Sequence, residues 1–226
     1  MSAYFVTSTG TDIGKTFVTA GLIRHLRAMG QEVDALKPVV SGFDIATAAL
    51  SDPGVLLGAM DVPITLEALK DMSPWRFATP LSPDMAAARE GQSLDFDAIV
   101  ATCKERIAQS DGTFFVEGVG GVMVPLDERH TVLDWMAALN LPLLMVAGSY
   151  LGTISHTLTA LDVVARRGLA VKALVINETG DGAVPSEETQ AAIARFHPKL
   201  TIATIPRVKR PLDADANFAA LWRAIV

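Results

Sequence analysis

The sequence predicts an α/β protein with three layers: a mostly parallel central sheet with helices on both faces. Three observations predict it. Strand-sized and helix-sized patterns alternate from Tyr4 to Ile225. The strand runs, such as Thr113-Phe114-Phe115-Val116 and Leu141 to Ala147, are continuously apolar rather than alternating, which marks strands buried on both faces. Half of the 226 residues are hydrophobic and only 19% are charged, which supplies a large core and excludes a disordered chain. No linker interrupts the alternation, so residues 1–226 read as one domain.

The elements follow in order. Tyr4-Phe5-Val6-Thr7 is a β-rich run, ended by the Gly/Thr/Ser stretch Ser8 to Gly14. A helix is expected next, because Val18, Leu22, Leu26 and Met29 recur at helical spacing and Gly30 offers a stop. Val33 to Leu36 and Val39-Val40 together read as the second strand, with Lys37 near its end. Residues 41–92 read as irregular, broken by Pro53, Pro63, Pro74, Pro80 and Pro83, with short helices at Thr47–Leu50, Leu66–Met72 and Pro83–Arg89. A helix over Phe96–Ala108 and a strand over Thr113–Val116 follow. Next come a helix over Val132–Leu139, a strand over Leu141–Ala147, and a helix over Ile154–Arg167 stopped by Gly168. A strand over Val171–Ile176, a helix over Glu187–Phe196, a strand over Leu200–Ile205 and a helix over Phe218–Ile225 close the chain.

Composition narrows the function. A net charge of −6 leaves no global basic footprint for a nucleic-acid partner. The one cysteine, Cys103, has no partner for an internal disulfide and falls in a helix pattern, as a small buried hydrophobe would. The four histidines, His25, His130, His156 and His197, show no metal-ligand spacing. No apolar run reaches the ~18–20 residues of a membrane span. The N-terminus enters a strand pattern without a basic leader, so a cytoplasmic protein is expected.

The chemistry concentrates at strand ends. Gly14-Lys15-Thr16 lies between the first strand and the first helix, the context of a phosphate loop, or P-loop, G-x-x-x-x-G-K-[ST]. The strict pattern is not met, since Thr9 stands five residues before Gly14 and the glycine is at Gly10. Asp12, Ile13, Gly14, Lys15, Thr16 and Phe17 form the candidate nucleotide-binding segment. Backbone N–H groups there point at phosphate oxygens, Lys15 reaches the β- and γ-phosphates, and the Thr16 hydroxyl ligates Mg²⁺. Glu117 ends a buried strand, the position that binds Mg²⁺ in phosphate-loop enzymes, and Gly118, Gly120 and Gly121 let a ligand approach the backbone. Lys37 opens Lys37-Pro38-Val39-Val40-Ser41-Gly42 at the carboxyl edge of the sheet, where open α/β sheets bind ligands. A solvated surface lysine is the other reading of that position.

These segments resemble the dethiobiotin synthetases, ATP-dependent enzymes of biotin synthesis. The likeness also takes in Pro80-Leu81-Ser82-Pro83, Val116 to Gly121, Asp134-Trp135, Leu151 to Thr157 and Asn177. The resemblance implies a P-loop fold and a ligase that makes dethiobiotin, ADP and phosphate from 7,8-diaminononanoate, CO2 and MgATP. It implies catalytic roles for Lys15, Lys37 and Thr11. It implies Mg²⁺ held by Thr16, Glu117 and an aspartate, assigned to Asp52 through Ser51-Asp52, with Asp44 as the alternative. Substrate contacts would come from Thr11, Asp12, Lys37, Ser41 and Gly118. Asn177 would read adenine, with Pro206 and Arg207 closing over the base. A homodimer is implied, the substrate carboxylate capping a partner helix near Gly152 and Thr153. Three positions depart from the usual family pattern: Ser8 for glycine, Gly10 for aspartate, and Asp12 where glutamate is frequent. Three other classes compete, one of them a nucleotide-binding module that carries out no reaction. A cobyrinic-acid-type amide synthetase would carry an extra glutaminase domain with a catalytic cysteine. A partition or septum-type switch ATPase would carry a lysine five residues before the loop lysine, where this chain has Gly10.

Overall fold

The computed structural model describes residues 2–178, 184–209 and 214–226. Its main sheet joins β1 (Ser2–Ser8), β2 (Val33–Leu36), β5 (Thr113–Glu117), β6 (Leu143–Gly148), β7 (Val171–Asn177) and β8 (Ile202–Ile205). The order is β2-β5-β1-β6-β7-β8, and every pairing is parallel. The remaining two strands, β3 (Val39–Ser41) and β4 (Trp75–Phe77), form a small parallel pair of their own.

Side-chain alternation on the central strands builds two cores. Phe5, Phe114, Val116, Leu143, Met145, Leu174 and Ile176 enter one. Tyr4, Val6, Phe115, Leu144, Val146, Ala173 and Val175 enter the other. The central stretches of these strands are therefore apolar on both faces, which is what the unbroken runs in the sequence express. The first core is covered by α4 (Pro83–Arg89), α5 (Phe96–Gln109), α6 (Val132–Leu139), α7 (Thr153–Arg166) and α8 (Ser186–Phe196). There the Phe5 and Trp135 rings meet edge to face, with centroids 4.9 Å apart. The second core is covered by α1 (Lys15–Ala28), α2 (Asp52–Ala59), α3 (Leu66–Met72) and α9 (Asp215–Ile225). Val18, Leu22, Ile23 and Leu26 give α1 its buried stripe, and the turn after it bends through Gly30 at φ 71°. Cys103 is buried, and burial pushes its thiol pKa up to about 12, consistent with a core residue. No helix among the described residues is long and apolar enough to cross a membrane.

The structure corrects the reading of residues 33–92. Val33–Leu36 and Val39-Val40 are not one strand, because the chain leaves the main sheet at Lys37-Pro38. There the Lys37 amide donates to the Met72 carbonyl (3.1 Å), the Ser73 hydroxyl to the Lys37 carbonyl (2.5 Å), and the Trp75 amide to the Pro38 carbonyl (3.0 Å). Pro38 has no amide with which to continue a ladder. α2 and β4 fall where no regular element was expected. Pro53 lies in the first turn of α2, where proline starts a helix rather than breaking one, and Ser51 caps it by accepting from the Gly54 amide (3.4 Å). The helix expected at Thr47–Leu50 is a 3₁₀ turn over Ile45–Leu50.

Candidate functional site

β1 delivers the chain to the carboxyl edge of the sheet, and residues 9–14 turn over it into α1. Gly14 stands at the helix start with φ 94°, a left-handed conformation that glycine adopts without strain. A Cβ there would lie 2.2 Å from the Asn177 amide nitrogen, so the close packing of loop on β7 also requires glycine. Asn177 in turn donates to the Ile13 carbonyl at 3.0 Å and holds the loop from the far side. Asp12 takes φ 56° without being glycine.

Lys15 is buried, with its ammonium in a cradle of loop oxygens. It donates to Ser8 Oγ (2.9 Å), the Gly120 carbonyl (2.9 Å) and, more loosely, the Gly10 carbonyl (3.4 Å). Burial pushes its pKa down to about 8. Lys37 adds to the effect, while Glu117, Asp52 and Asp12 oppose it.

A second cluster lies beside it. The Thr16 hydroxyl is 2.7 Å from Asp52 Oδ1 and 2.7 Å from Glu117 Oε1, and it has one proton to donate. Lys37 Nζ is 3.1 Å from Asp52 Oδ2, 3.1 Å from Glu117 Oε1, and donates to the Gly118 carbonyl at 2.7 Å. Lys37 and Glu117 are only 2% and 0% exposed, so neither charge could persist there alone. Burial acts to lower the Lys37 pKa, but Glu117 and Asp52 outweigh it and hold the pKa above the usual lysine value. For Asp52, burial is likewise outweighed, by Lys37 and the Thr16 hydroxyl, and its carboxyl lies below the usual range. Asp44, by contrast, is exposed and caps the 3₁₀ turn by accepting from the Ala46 amide, so of the two aspartates it is Asp52 that reaches Thr16.

Lys15, Thr16, Lys37 and Asp52 line one cleft of 330 Å³, together with Thr11, Asp12, Ser41 and Val119, and the fully buried Glu117 contacts Thr16 and Lys37 of that lining. A second cavity of 380 Å³ shares Thr11, Asp12 and Ser41 and runs on over Pro80 to Pro83. Both sizes suit small ligands. The Thr16 hydroxyl and the Asp52 carboxylate of the cleft, with the buried Glu117 carboxylate against Thr16, are hard oxygen donors. That sparse set fits Mg²⁺, which keeps several waters and takes its other ligands from phosphates.

The remaining expected residues are placed as follows. β7 and β8 pair Asn177 with Ile205, which sets Asn177 beside Pro206 and Arg207. The Arg207 amide donates to Glu178 Oε2 at 3.1 Å. Phe17 turns its ring toward Phe218 of α9, centroids 5.6 Å apart, so its side chain belongs to the packing of α1. Thr153 opens α7, but its amide donates to the Tyr150 carbonyl (3.1 Å) and its hydroxyl to the Gly148 carbonyl (2.6 Å). Gly152, with φ 97°, is the exposed turn residue before it.

Two site residues, Thr19 and Ser73, escaped the sequence reading, and Ser8 entered it only as a departure from the family pattern. Ser8 carries the Lys15 ammonium. Thr19 Oγ1 donates to Glu117 Oε2 at 2.7 Å and also lies 3.0 Å from the Lys15 carbonyl. Ser73 holds the Lys37 backbone. Thr19 lies one helical turn beyond Lys15 on the same face, a spacing that could have flagged it.

Known proteins share this arrangement of elements. A family model described as an AAA domain matches residues 2–213. The cell division ATPase MinD of Pyrococcus furiosus superposes with a TM-score of 0.60 over 100% of both chains, at 16% identity, a likeness of fold alone. The ATP-dependent dethiobiotin synthetase BioD of Acidiphilium cryptum is 52% identical over 196 residues, covering 86% of this chain and 88% of that protein. Its counterpart in Methylobacterium nodulans is 50% identical over 200 residues, covering 86% and 89%. Identity at that level, over most of both chains, reflects common descent and not only a common fold, and it places this chain in the ATP-dependent dethiobiotin synthetase family.

Proposed function

We propose that this chain carboxylates 7,8-diaminononanoate with CO2 and closes the ureido ring of dethiobiotin at the expense of ATP. One substrate amine adds to CO2, forming a C–N bond and, on loss of a proton, a carbamate. A carbamate oxygen attacks the γ-phosphorus and ADP leaves. The second amine attacks the carbonyl carbon of the resulting mixed anhydride and phosphate leaves. Each step moves negative charge across a small region, so fixed positive groups and exclusion of water govern the rate.

The observation that carries this reading is the convergence of Lys15, Lys37, Thr16 and Asp52 on one cleft, with the buried Glu117 held against Thr16 and Lys37. In this reading Lys15 and the loop amides from Asp12 to Phe17 hold the β- and γ-phosphates. Lys37 lies between carbamate and γ-phosphate and offsets the charge that moves between them. Thr11, Asp12, Ser41 and Gly118 orient the diamine end, and the second cavity takes the aliphatic chain. Asn177, Pro206 and Arg207 form the adenine side. Thr16, Asp52 and Glu117 would hold Mg²⁺, which when bound neutralises phosphate charge. No covalent nucleophile is required.

The reading includes a cytoplasmic homodimer. A 480 Å³ groove between Gly121–Pro125 and His156, Thr159, Ala160 and Val163 supports it, as do the exposed apolar side chains of Met123 and Leu151. In the dimer the start of α7, at Gly152 and Thr153, would receive the substrate carboxylate from the other subunit. Thr153's own donors are engaged at home, so Gly152 and the following amides would carry that contact.

The test is ADP release with and without the diamine and bicarbonate. Turnover that requires both is expected, and turnover that ignores both would overturn the proposal. A switch ATPase of the septum-positioning kind is not favoured, because Gly10 stands where its signature lysine would be.

A further inference from the structure

Ser8 is the last residue of β1, fully buried, with its hydroxyl at the centre of the Lys15 cradle. Its oxygen accepts from Lys15 Nζ at 2.9 Å, and it lies 2.7 Å from the Gly10 carbonyl and 2.9 Å from the Gly120 carbonyl. The hydroxyl has one proton, so it donates to one of these carbonyls at a time. Gly120 already accepts from Lys15 at 2.9 Å, whereas Gly10 receives Lys15 only at 3.4 Å. The shorter hydroxyl contact is to Gly10, and that carbonyl is the one Lys15 holds loosely.

This distribution has a consequence for the ammonium. Two of its three hydrogens are anchored at 2.9 Å, on Ser8 and Gly120. The third rests on a carbonyl that the Ser8 hydroxyl occupies more closely. Two anchored donors fix the position of the ammonium, and the loosely held one is the donor that a phosphate oxygen can take at least cost. Ser8 also ties the loop after β1 to the turn after β5, since Gly10 and Gly120 lie on those two segments and the Val122 amide donates to the Ser8 carbonyl at 3.1 Å.

We infer that Ser8 is a positioning residue for nucleotide binding: its side-chain oxygen holds the Lys15 ammonium in place and leaves one N–H of it for phosphate. The inference rests on the reading of Lys15 as the phosphate-binding lysine. On that reading Ser8 acts through Lys15.

A double-mutant cycle tests this. The affinity of the full-length protein for a non-hydrolysable ATP analogue with Mg²⁺ is measured for the parent chain, Ser8→Ala, Lys15→Ala and the double variant, with melting temperatures recorded alongside. Loss of a hydrogen bond to a charged group predicts that Ser8→Ala weakens binding about tenfold in the parent. In the Lys15→Ala background the same change should have no further effect, because the group it positions is gone. An equal loss in both backgrounds would show that Ser8 acts through loop structure and would overturn the inference, as would full affinity in Ser8→Ala. If Lys15→Ala alone binds the analogue normally, it is the phosphate-binding role of Lys15 that fails, and the inference with it.

Discussion

Lys37 is enclosed by the atoms it serves: Asp52 and Glu117 at 3.1 Å each and the Gly118 carbonyl at 2.7 Å. Lys37→Ala would leave two carboxylates facing across the Thr16 hydroxyl with no monovalent cation between them. In the proposed role its contact matters most as the carbamate oxygen attacks the γ-phosphate, so kcat should fall about 10²–10³-fold while nucleotide affinity changes less. Steady-state kinetics check this, and a change confined to ATP affinity would contradict it. Lys15 carries a pH prediction. Its pKa in the free protein is about 8, held down by burial, and bound phosphate favours the charged form and raises it. Below about pH 8 the ammonium is charged in both states and affinity is flat with respect to this group. Above it the free protein has lost the proton and must regain it to bind. Affinity should then fall about tenfold per pH unit until the bound-state pKa is reached. Calorimetry at pH 9 in two buffers of different ionisation enthalpy should show proton uptake, and none at pH 7. Lys15 and Glu117 were marked in the sequence by the loop before α1 and by the end of β5, and Lys37 by the segment after β2 together with the family resemblance; the structure brings the three together. Ser8 and Thr19 were not marked in this way. A buried hydroxyl has no meaning until its partner is known, and theirs lie 7 and 98 positions away.

At the scale of elements, α2 decides whether a third oxygen reaches the side of the cleft proposed to hold Mg²⁺, because Asp52 is its first residue. The helix packs on the preceding 3₁₀ turn at Gly54. A Cβ there would lie 2.0 Å from the Ala48 carbonyl oxygen and 2.9 Å from the Ala49 Cα, both backbone atoms that cannot swing aside. Gly54→Ala should therefore shift α2, cost roughly 1–3 kcal/mol of stability, and raise the Mg²⁺ concentration needed for half-maximal turnover. Gly58→Ala on the same helix meets nothing within 4 Å and should be neutral or stabilising by up to about 1 kcal/mol. Denaturant unfolding and a Mg²⁺ titration of turnover separate the two. Equal behaviour of both variants would remove α2 from the account. The main strands were legible because double burial writes itself as unbroken apolar runs. Between β2 and α4 the helices α3 and α4 were read with their bounds, but the β3–β4 pair was not, because it joins residues 39–41 to 75–77 and no local pattern announces a partner that distant.

Over the whole molecule, the site gathers the end of β1, the start of α1, Lys37, α2, the turn after β5 and the end of β7. Residues 8 to 177 thus meet at one edge of the sheet. A net charge of −6 gave no hint of this, since the cations gathered there are two buried lysines that the average surface does not reflect. A ligand that bridges elements so far apart in sequence binds the folded chain and has no counterpart site in the unfolded one. Its binding free energy therefore adds to global stability. At a hundredfold excess over its dissociation constant, MgADP should contribute about 2.7 kcal/mol, which raises Tm by roughly 5–10 °C in a chain of this length. Lys15→Ala removes the phosphate contact but leaves the cores untouched, so its own Tm should stay near the parent's while the shift produced by the same MgADP concentration largely disappears. Thermal unfolding followed by circular dichroism measures both quantities in one experiment. An undiminished shift in Lys15→Ala would mean that the nucleotide is held elsewhere than on the loop, because the same binding linkage would then operate without the residue that joins β1 to its ligand.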